Sequence, residues 1–307
     1  MNIFIIGGTG FLGRHLLPKL SSKHHITVMT RSKVKGEQLQ SEGIDYALSD
    51  LSELDRNSHL VRKQDVVIYM AMPPIKMGRI SGKYIQFLKS EIKKYLLNTI
   101  AFTRKHKAKL ILTAGTSYRT SGNEVADETW PIERYGLTVA GAYYDELVAE
   151  LNEERTIPFI QVLPAQIYGP GGLFKKMLDM NQKGRNIVFG HGLNKIPRIH
   201  VEDCANAYAK IIEKMPVYEK YIIADDLACT IYEFHSYLGT LFNNKKPRRI
   251  PGFVLKLVLG KYIYLTMLMD CQVSNAKAKS ELDWQLQYPT YREGLKATVD
   301  AYLKKAQ

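Results

Sequence analysis

The sequence predicts an α/β fold in which a parallel β-sheet is covered by helices on both faces. Three observations predict it. In the first half of the 307-residue chain, short β-rich runs alternate with longer segments of helical pattern. The first of these runs leads into a glycine-rich turn at the start of a helix. In addition, 45% of the residues are apolar, which is enough to bury a full core.

Six segments have the composition and length of β-strands. In chain order they are NIFIIG, HITVMT, DYALS, DVVIYMAM, AKLILTAG and PFIQVLP. Helical patterns lie between most of them, and this order is typical of a parallel sheet. After Pro164 the pattern changes to shorter, mixed elements. We therefore expect a sheet domain over residues 1–165, to which the C-terminal half contributes later strands, and a smaller lobe over residues 166–307 at the carboxyl edge of the sheet.

Composition argues against several classes of protein. Cys204, Cys229 and Cys271 have neither paired nor metal-like spacing, so we expect no metal site, no disulfide framework and a cytoplasmic setting. The N-terminus enters an apolar strand without the features of a signal peptide. The most apolar late segment, Gly252 to Asp270, is interrupted by two lysines. It is predicted to be a buried or amphipathic helix rather than a transmembrane segment.

The formal net charge of +13 indicates attraction to phosphates, acidic ligands or anionic lipid headgroups. The basic residues are scattered or occur in short pairs such as Lys245–Lys246 and Arg248–Arg249. They form neither a long basic tract nor an aromatic-interleaved motif. We therefore expect no nucleic-acid partner.

The turn after the first strand predicts dinucleotide binding. Gly7, Gly10 and Gly13 have the spacing G-x-x-G-x-x-G. The first glycine allows a tight turn, the second lets backbone N–H groups approach a pyrophosphate, and the third lets the helix pack on the strand. A turn that only connects the two elements is the alternative interpretation. The residues expected to contact the cofactor here are Gly7, Thr9, Gly10, Phe11, Leu12 and Gly13.

The end of the second strand favours NADP(H) over NAD(H). An acid at this position would bind the ribose hydroxyls of NAD, whereas this chain offers a 2′-phosphate Arg31, Ser32, Lys33 and Lys35. Alternatively, Arg31 is a solvated loop residue or stacks on an adenine. Asp50 could accept a hydrogen bond from the adenine amino group, or cap a helix. Further cofactor contacts are predicted at the ends of later segments, namely Leu51, Met70, Ala71, Met72 and Pro164.

These residues, together with DVVIYMAM, IYGPGG, RIHVEDCANAY and SNAKAKSELDW, resemble the extended short-chain dehydrogenase/reductase family, including its NAD-dependent epimerase/dehydratase branch. The resemblance runs from residue 1 to about 300. It implies a Rossmann-type doubly wound sheet whose NAD(P)-binding domain is residues 1–165, with a substrate-binding lobe over residues 166–307. It also implies a small-molecule substrate, a nicotinamide near the ends of the fourth and fifth strands, and a possible homodimer.

The chain departs from the family pattern at the acid–base pair. In the family, a Tyr-x-x-x-Lys pair does this work, because a lysine lowers the pKa of a tyrosine that is otherwise a poor base. The register that places Tyr135 on the family tyrosine puts Val139 at the lysine position. The other register places Thr138 and Ala142 there. No lysine occurs between Leu110 and Phe174, so neither register supplies one.

The end of the fifth strand departs from the family as well. The catalytic serine position falls on Ala114, although Thr113, Thr116 or Ser117 could place a hydroxyl nearby. We therefore take Tyr135, Thr116 and Thr113 as the candidate catalytic residues. Leu163 and Gln166 replace an arginine and an asparagine that are frequent in the family, which argues against tight recognition of a nucleotide sugar.

Taken together, the residues and the resemblance suggest an NADP(H)-binding oxidoreductase or epimerase that acts on a small molecule by hydride transfer. One alternative is a non-catalytic NADP(H)-binding regulatory or accessory protein, which the missing lysine favours. Another is a nucleotide-sugar epimerase or dehydratase, whose chemistry needs that lysine most. Tyr143 and Tyr144 are predicted to pack rather than react, and His200 is predicted to be structural.

Overall fold

The computed structural model describes residues 1–54, 61–73 and 78–304. Its strands, in chain order, are β1 (Asn2–Ile6), β2 (His25–Thr30), β3 (Asp45–Leu48), β4 (Val66–Tyr69), β5 (Lys109–Thr113), β6 (Phe159–Pro164), β7 (Gln166–Tyr168), β8 (Ile187–Phe189), β9 (Lys195–Ile196), β10 (Arg198–His200), β11 (Lys220–Ile223), β12 (Cys229–Thr230) and β13 (Arg248–Ile250). All six strands predicted from the sequence are confirmed as β1 to β6.

The helices lie between these strands. They are α1 (Phe11–Leu20), α2 (Lys33–Ser41), α3 (Gly82–His106), α4 (Ala142–Glu154), α5 (Phe174–Gln182), α6 (Val201–Lys214), α7 (Ile231–Leu241), α8 (Gly252–Leu259), α9 (Lys261–Met267), α10 (Ala276–Leu282) and α11 (Tyr291–Lys304). A 3₁₀-helix (Gly136–Gly141) precedes α4 directly.

Seven strands form one parallel sheet in the order β11-β6-β5-β4-β1-β2-β3. The register pairs Ile5 of β1 with Val28 of β2 on one side and with Ile68 of β4 on the other. These three side chains are fully buried, as expected for a sheet covered on both faces. Strand order reverses between β1 and β4, which is where ligands bind in open α/β sheets. The doubly wound fold is thus confirmed.

The C-terminal half completes the sheet and adds shorter elements beside it. Strand β11 pairs with β6. The division into a domain of residues 1–165 and a lobe of residues 166–307 stays a prediction. Short two-stranded pairs and α5, α7 and α11 enclose a second apolar cluster. Its buried members are Tyr168, Leu178, Cys229, Phe234, Leu238, Tyr291, Leu295 and Val299. The three cysteines are free and buried.

Helix α6 connects the C-terminal half of the chain to α1, the helix that follows the glycine turn. Glu202 at the start of α6 accepts from His15 (2.6 Å) and from Lys19 (3.0 Å) of α1. The next residue, Asp203, is buried and accepts from the backbone N–H groups of Gln287 (2.7 Å) and Tyr288 (2.9 Å). Two successive carboxylates therefore tie α6 to the sheet domain on one side and to the C-terminal segment on the other.

The apolar segment from Gly252 to Asp270 differs from its prediction. The prediction of a single buried or amphipathic helix is wrong, because the segment forms two short helices, α8 and α9. They meet at Gly260, which has φ of +90°. This backbone conformation suits glycine, and it ends α8 after eight residues. Much of the apolar surface of α8 faces solvent. Within the described part of the chain, no helix is long and apolar enough to cross a membrane.

We predict that Glu202→Gln destabilises the protein in a pH-dependent way. The hydrogen bond from His15 and the ammonium of Lys19 lower the pKa of Glu202 from 4.5 to about 2. Because this pKa is depressed, the stabilisation is present above about pH 4.5 and is lost as the pH falls towards 2. The variant should lose about 1–2 kcal/mol of unfolding free energy at neutral pH, since partial exposure screens the pair. Urea unfolding across this pH range measures the loss.

Glu213→Gln is the matched control for this prediction. Glu213 lies on the same helix and pairs with Lys210 at 3.3 Å, but its side chain is 61% exposed. We expect an effect of under about 0.5 kcal/mol at any pH. Equal pH profiles for the two variants would contradict the assignment of the acid sensitivity to Glu202.

Candidate cofactor and active site

The glycine turn between β1 and α1 has the close contacts that the sequence predicts. Gly7 has φ of +96°, and a Cβ there would lie 3.0 Å from the carbonyl oxygen of Met70. A Cβ on Gly13 would lie 2.3 Å from the carbonyl oxygen of Gly8, so only glycine lets α1 approach the turn. Helix α1 begins at Phe11, and the first N–H groups of an α-helix have no intrahelical acceptor. The turn therefore presents free donors and the positive end of a helix dipole.

An open cavity of about 430 Å³ lies at the carboxyl ends of the strands, beside this turn. Ten of the predicted cofactor residues line it: Gly7, Thr9, Gly10, Arg31, Ser32, Asp50, Leu51, Met70, Ala71 and Met72. They come from the ends of β1, β2 and β4 and from the segment after β3. The topological switch point of the sheet therefore brings together residues that are up to 65 positions apart in the sequence.

Two charged residues face each other at the rim of the cavity. Arg31 lies 3.7 Å from Asp50, and the Arg31 side chain is 65% exposed. Burial would raise the pKa of Asp50, but the hydrogen bonds from Ser52 and the positive charge of Arg31 lower it overall. Asp50 is thus ionised, and one of its oxygens accepts from the backbone N–H of Ser52 at 2.8 Å. Because its side chain is 65% exposed, Arg31 has room to turn from Asp50 towards an anion in the cavity.

The two lysines after Arg31 have different positions. Lys35 lines the cavity, whereas Lys33, which the sequence analysis selected, lies 3.8 Å from Glu37 and is outside the cavity lining. Ser32 is the N-cap of α2 and accepts from the N–H of Lys35. Lys33 and Lys35 are therefore both in the first turn of the helix, where residues two apart point in different directions. A smaller cavity of about 260 Å³ shares Thr9 and Lys35 and is also lined by Arg14. The basic side chains near a ribose site are therefore Arg31 and Lys35, with Arg14 beyond them.

Three other predicted cofactor residues have packing contacts. Phe11 lies against the loop after β7, where Cβ atoms on Gly171 and Gly172 would come within 3.0 Å of its ring. Leu12 is buried on α1. Pro164 ends β6, and its carbonyl oxygen accepts from the N–H of Thr116 at 3.4 Å. Side chains at these positions belong to the scaffold, while the backbone of Phe11 and Leu12 lies in the first turn of α1.

Some lining residues were not selected from the sequence. Met29 and Thr30 line the cavity at the end of β2, and Tyr95 of α3 reaches it from across the sheet. Met29 and Thr30 directly precede Arg31 in the sequence, and this adjacency could have indicated them as lining residues. Nothing in the sequence around Tyr95 distinguishes it from other residues on the buried face of a 25-residue helix.

The hydroxyl groups at the end of β5 are only partly available. Thr113 Oγ1 is 2.6 Å from the hydroxyl of buried Tyr208 on α6. Ser117 Oγ lies 3.0 Å from the carbonyl oxygen of Glu133 and 3.0 Å from Thr138 Oγ1, and its single hydrogen can be donated to either. Thr116 lies between them and is partly exposed. Of the hydroxyls weighed at this strand end, Thr116 is the least engaged in described contacts.

Tyr135 immediately precedes the 3₁₀-helix, and its backbone is held by Thr138. The Tyr135 N–H donates to Thr138 Oγ1 at 2.8 Å, and that hydroxyl donates to the Tyr135 carbonyl at 2.9 Å. The guanidinium of Arg119 lies 5.7 Å from the centre of the Tyr135 ring. Arg134, its sequence neighbour, is instead held by Asp145 through two bonds of 2.6 Å. Tyr135 thus has a cation over its ring face.

The 3₁₀-helix changes the meaning of the family spacing. An α-helix places residues i and i+4 on one face, whereas a 3₁₀-helix has three residues per turn and aligns i with i+3. Tyr135 itself precedes this helix with an extended backbone (φ −141°, ψ 145°), so it shares no α-helical face with Val139. Tyr144, in the true α-helix, is buried, and burial raises its pKa to about 12. Tyr144 lies beside Tyr69, with a ring separation of 6.4 Å, as predicted for a packing residue.

His200 is also structural, as the sequence analysis expected. It caps α6 by accepting from the N–H of Glu202 at 3.3 Å. Burial lowers the pKa of His200 to about 4, so the ring is neutral at physiological pH. Among the described residues, no group of three or more His, Cys, Asp or Glu side chains could hold a metal ion.

The chain is similar to proteins of known family. A family model described as the NAD dependent epimerase/dehydratase family matches residues 3–224. The Arabidopsis thaliana epimerase family protein SDR39U1 homolog, chloroplastic, is 24% identical over 312 residues, covering 97% of this chain and 87% of its own length. The human epimerase family protein SDR39U1 (isoform2), solved with NADPH, has a TM-score of 0.78 at 19% identity and covers 98% of this chain and 99% of its own.

UDP-glucose 4-epimerase from Thermotoga maritima, solved with UDP-glucose, has a TM-score of 0.81 at 19% identity, covering 100% of this chain and 99% of its own. At such identities, these two solved structures show the shared fold. The family model carries more, because it spans the glycine turn, every strand of the central sheet and the segment from Tyr135 to α6. The chain therefore belongs to the NAD dependent epimerase/dehydratase family, an extended short-chain dehydrogenase/reductase.

Proposed function

We propose that the protein binds NADP(H) in the cavity beside the glycine turn and acts on a small-molecule substrate as an oxidoreductase or epimerase. The observation that carries the proposal is the convergence of a glycine turn, a helix N-terminus and two basic side chains, Arg31 and Lys35, on one cavity. A bound NADP(H) would supply or accept a hydride. The human SDR39U1 structure, which contains NADPH, supports this choice of cofactor.

Each part of the cavity suits one part of a dinucleotide. The N–H groups at the start of α1 would hold the pyrophosphate. Arg31 and Lys35 would pair with a 2′-phosphate, which carries the charge that distinguishes NADP from NAD. Asp50 and Leu51 would line the adenine side, and Met70 to Met72 the path towards the nicotinamide.

For the acid–base step we propose Tyr135 and Thr116. Tyr135 lies at the start of the helical segment after β5, and Thr116 follows β5 with a partly exposed side chain. Thr113 is a weaker candidate, because its hydroxyl is held by Tyr208. A substrate whose hydride transfer needs little proton assistance would suit a site that has no lysine beside its tyrosine.

A second candidate function is non-catalytic NADP(H) binding in a regulatory or accessory role. One specific observation favours it: the cation next to Tyr135 in sequence, Arg134, is neutralised by two bonds to Asp145.

A nucleotide-sugar epimerase or dehydratase is a third candidate, supported by the resemblance to UDP-glucose 4-epimerase. Thermal stabilisation by UDP-glucose in the presence of NADPH would favour the third candidate. Cytoplasmic location and a homodimer remain predictions of the sequence.

We predict that Lys35→Ala weakens NADPH binding by about tenfold, since one charge-assisted hydrogen bond to phosphate is worth about 1.5 kcal/mol or more. NADH binding should change by under about twofold, because NADH lacks the 2′-phosphate. Isothermal calorimetry on the purified protein measures both constants. Arg31→Ala should behave in the same way.

Lys33→Ala is the matched control. It removes the same charge two residues away, but from a side chain that lies beside Glu37 and outside the cavity lining. We expect less than about a twofold change for either nucleotide. Equal losses of NADPH affinity in Lys33→Ala and Lys35→Ala would show that binding depends on the overall positive charge of this region and not on the position of Lys35. If neither NADPH nor NADH binds the unmodified protein, the proposed function fails.

We predict that Tyr135→Phe and Thr116→Ala lower kcat by about 10²-fold on a substrate identified by screening carbonyl compounds with NADPH, because general acid–base groups contribute about that much. The NADPH dissociation constant should stay within about twofold. Stopped-flow absorbance of NADPH separates hydride transfer from binding. Unchanged turnover in both variants would remove these residues from the mechanism.

We also predict that Val139→Lys fails to raise kcat by more than about twofold. Val139 lies in the 3₁₀-helix, whereas Tyr135 precedes it with an extended backbone, so the new ammonium would not share an α-helical face with the Tyr135 side chain. Thr138→Lys is not a useful alternative, because Thr138 holds the backbone of Tyr135. A tenfold or greater gain in Val139→Lys would show that this segment becomes α-helical when the cofactor is bound.

A further inference from the structure

Helix α8 carries an apolar face that the described part of the chain leaves exposed. Phe253 is 62% exposed, Leu257 66% and Val258 61%, while Leu255 on the opposite side is 3% exposed. With 3.6 residues per turn, Leu257 and Val258 are rotated by about 40° and about 140° from Phe253, so the three exposed side chains lie within one broad arc of the helix surface. We call this surface the α8 face. Large apolar side chains clustered at this exposure mark an interaction site rather than ordinary surface.

The sequence around the α8 face is basic and contains no acid. Between Glu233 and Asp270 there is no aspartate or glutamate, whereas six residues are basic: Lys245, Lys246, Arg248, Arg249, Lys256 and Lys261. All six are exposed. Lys256 lies within α8, and Lys261 begins the following helix. Six of the 43 lysines and arginines therefore lie in α8 or close to it in the sequence, with no acid among them.

The α8 face is firmly held in the fold. The N–H of Ile80 donates to the carbonyl of Leu259 at 2.9 Å, and Leu255 packs inward. Helix α9 is fixed to the 3₁₀-helix, where the N–H of Leu137 donates to Thr266 Oγ1 at 2.8 Å. The two helices thus lie next to the segment that begins at Tyr135.

The combination of apolar and basic residues identifies the occupant. A second copy of the chain would place six basic residues against six others, which is repulsive. An anionic lipid surface instead accepts both features, because the apolar side chains enter the acyl boundary and the lysines and arginines meet negative headgroups. No described helix can span a bilayer, so the attachment would be peripheral.

We propose that the α8 face is a docking surface for membranes rich in anionic phospholipid. Phe253, Leu257 and Val258 insert at the boundary between headgroups and acyl chains, and the surrounding basic residues bind the headgroups. Neither the insertion of the apolar side chains nor the headgroup contacts bind a membrane strongly alone, so binding requires both. It weakens at high salt, because salt screens the headgroup contacts. The inference does not depend on the identity of the cofactor.

The test is co-sedimentation of the full chain with phosphatidylcholine vesicles, with and without about one-third phosphatidylserine. We expect binding only to the anionic vesicles. Phe253→Ser/Leu257→Ser/Val258→Ser and, separately, Lys256→Gln/Lys261→Gln should each lower the partition coefficient about tenfold. Matched controls remove exposed residues elsewhere: Leu48→Ser/Val125→Ser for the apolar set and Lys105→Gln/Lys109→Gln for the basic set. Both controls should bind like the unmodified protein.

A second readout does not require any loss of binding. In Phe253→Trp, anionic vesicles should shift the added tryptophan fluorescence to shorter wavelength, after subtraction of the signal from Trp130 and Trp284, because the ring enters an apolar environment. Circular dichroism and thermal unfolding verify that every variant is folded.

Three results would overturn the proposal. The first is absence of binding to anionic vesicles. The second is binding that depends on the lysines but not on the apolar residues, which would indicate simple adhesion of a basic protein. The third is a dimer, measured by light scattering, that the serine variants convert to monomers without vesicle binding, which would make the α8 face a contact between copies of the chain.

Discussion

The close contact between helix α1 and the glycine turn is the constraint on which the rest of the structure depends. A side chain on Gly13 would overlap the backbone of Gly8, so α1 can take its position only because Gly13 lacks a Cβ. That position directs the start of α1 towards the cavity. It also places His15 and Lys19 beneath Glu202 of α6, while the ring of Phe11 packs on the loop after β7. One backbone approach therefore positions the proposed cofactor site and supports the C-terminal half.

The two ends of the site differ in how far they follow the family pattern. At the dinucleotide end, the glycine turn, the strand ends and the basic side chains are all present around one cavity. At the other end, the lysine is missing, one threonine is bonded to Tyr208, and the segment after Tyr135 is a 3₁₀-helix. The second end is thus altered in backbone geometry as well as in side chains. Both differences direct attention to Tyr135 and Thr116 as the groups still able to meet a substrate.

Positive charge faces open space in two places, around the cavity and around α8. Elsewhere many basic side chains have partners, such as Arg104 with Glu154 and Lys277 with Glu219. Around the cavity, Lys35 and the exposed Arg31, which lies 3.7 Å from Asp50, border open space. Around α8, the basic residues have no acid near them in the sequence. Because unbalanced charge attracts anions, these two surfaces carry the proposals for a phosphorylated cofactor and for a lipid surface.

By itself, the sequence determined the fold class, the six strands from β1 to β6 and the glycine turn, because apolar runs and glycine spacing are local patterns that the backbone must obey. It also showed that no lysine occurs four residues after Tyr135, or anywhere between Leu110 and Phe174. Only the tertiary structure decided that Lys35 rather than Lys33 faces the cavity, that Tyr95 reaches it from α3, and that the segment from Gly252 to Asp270 breaks into two helices. These outcomes depend on helix phase, on packing across the sheet and on the turn at Gly260. Contacts between distant residues set such features, and they leave no periodic signal in the chain.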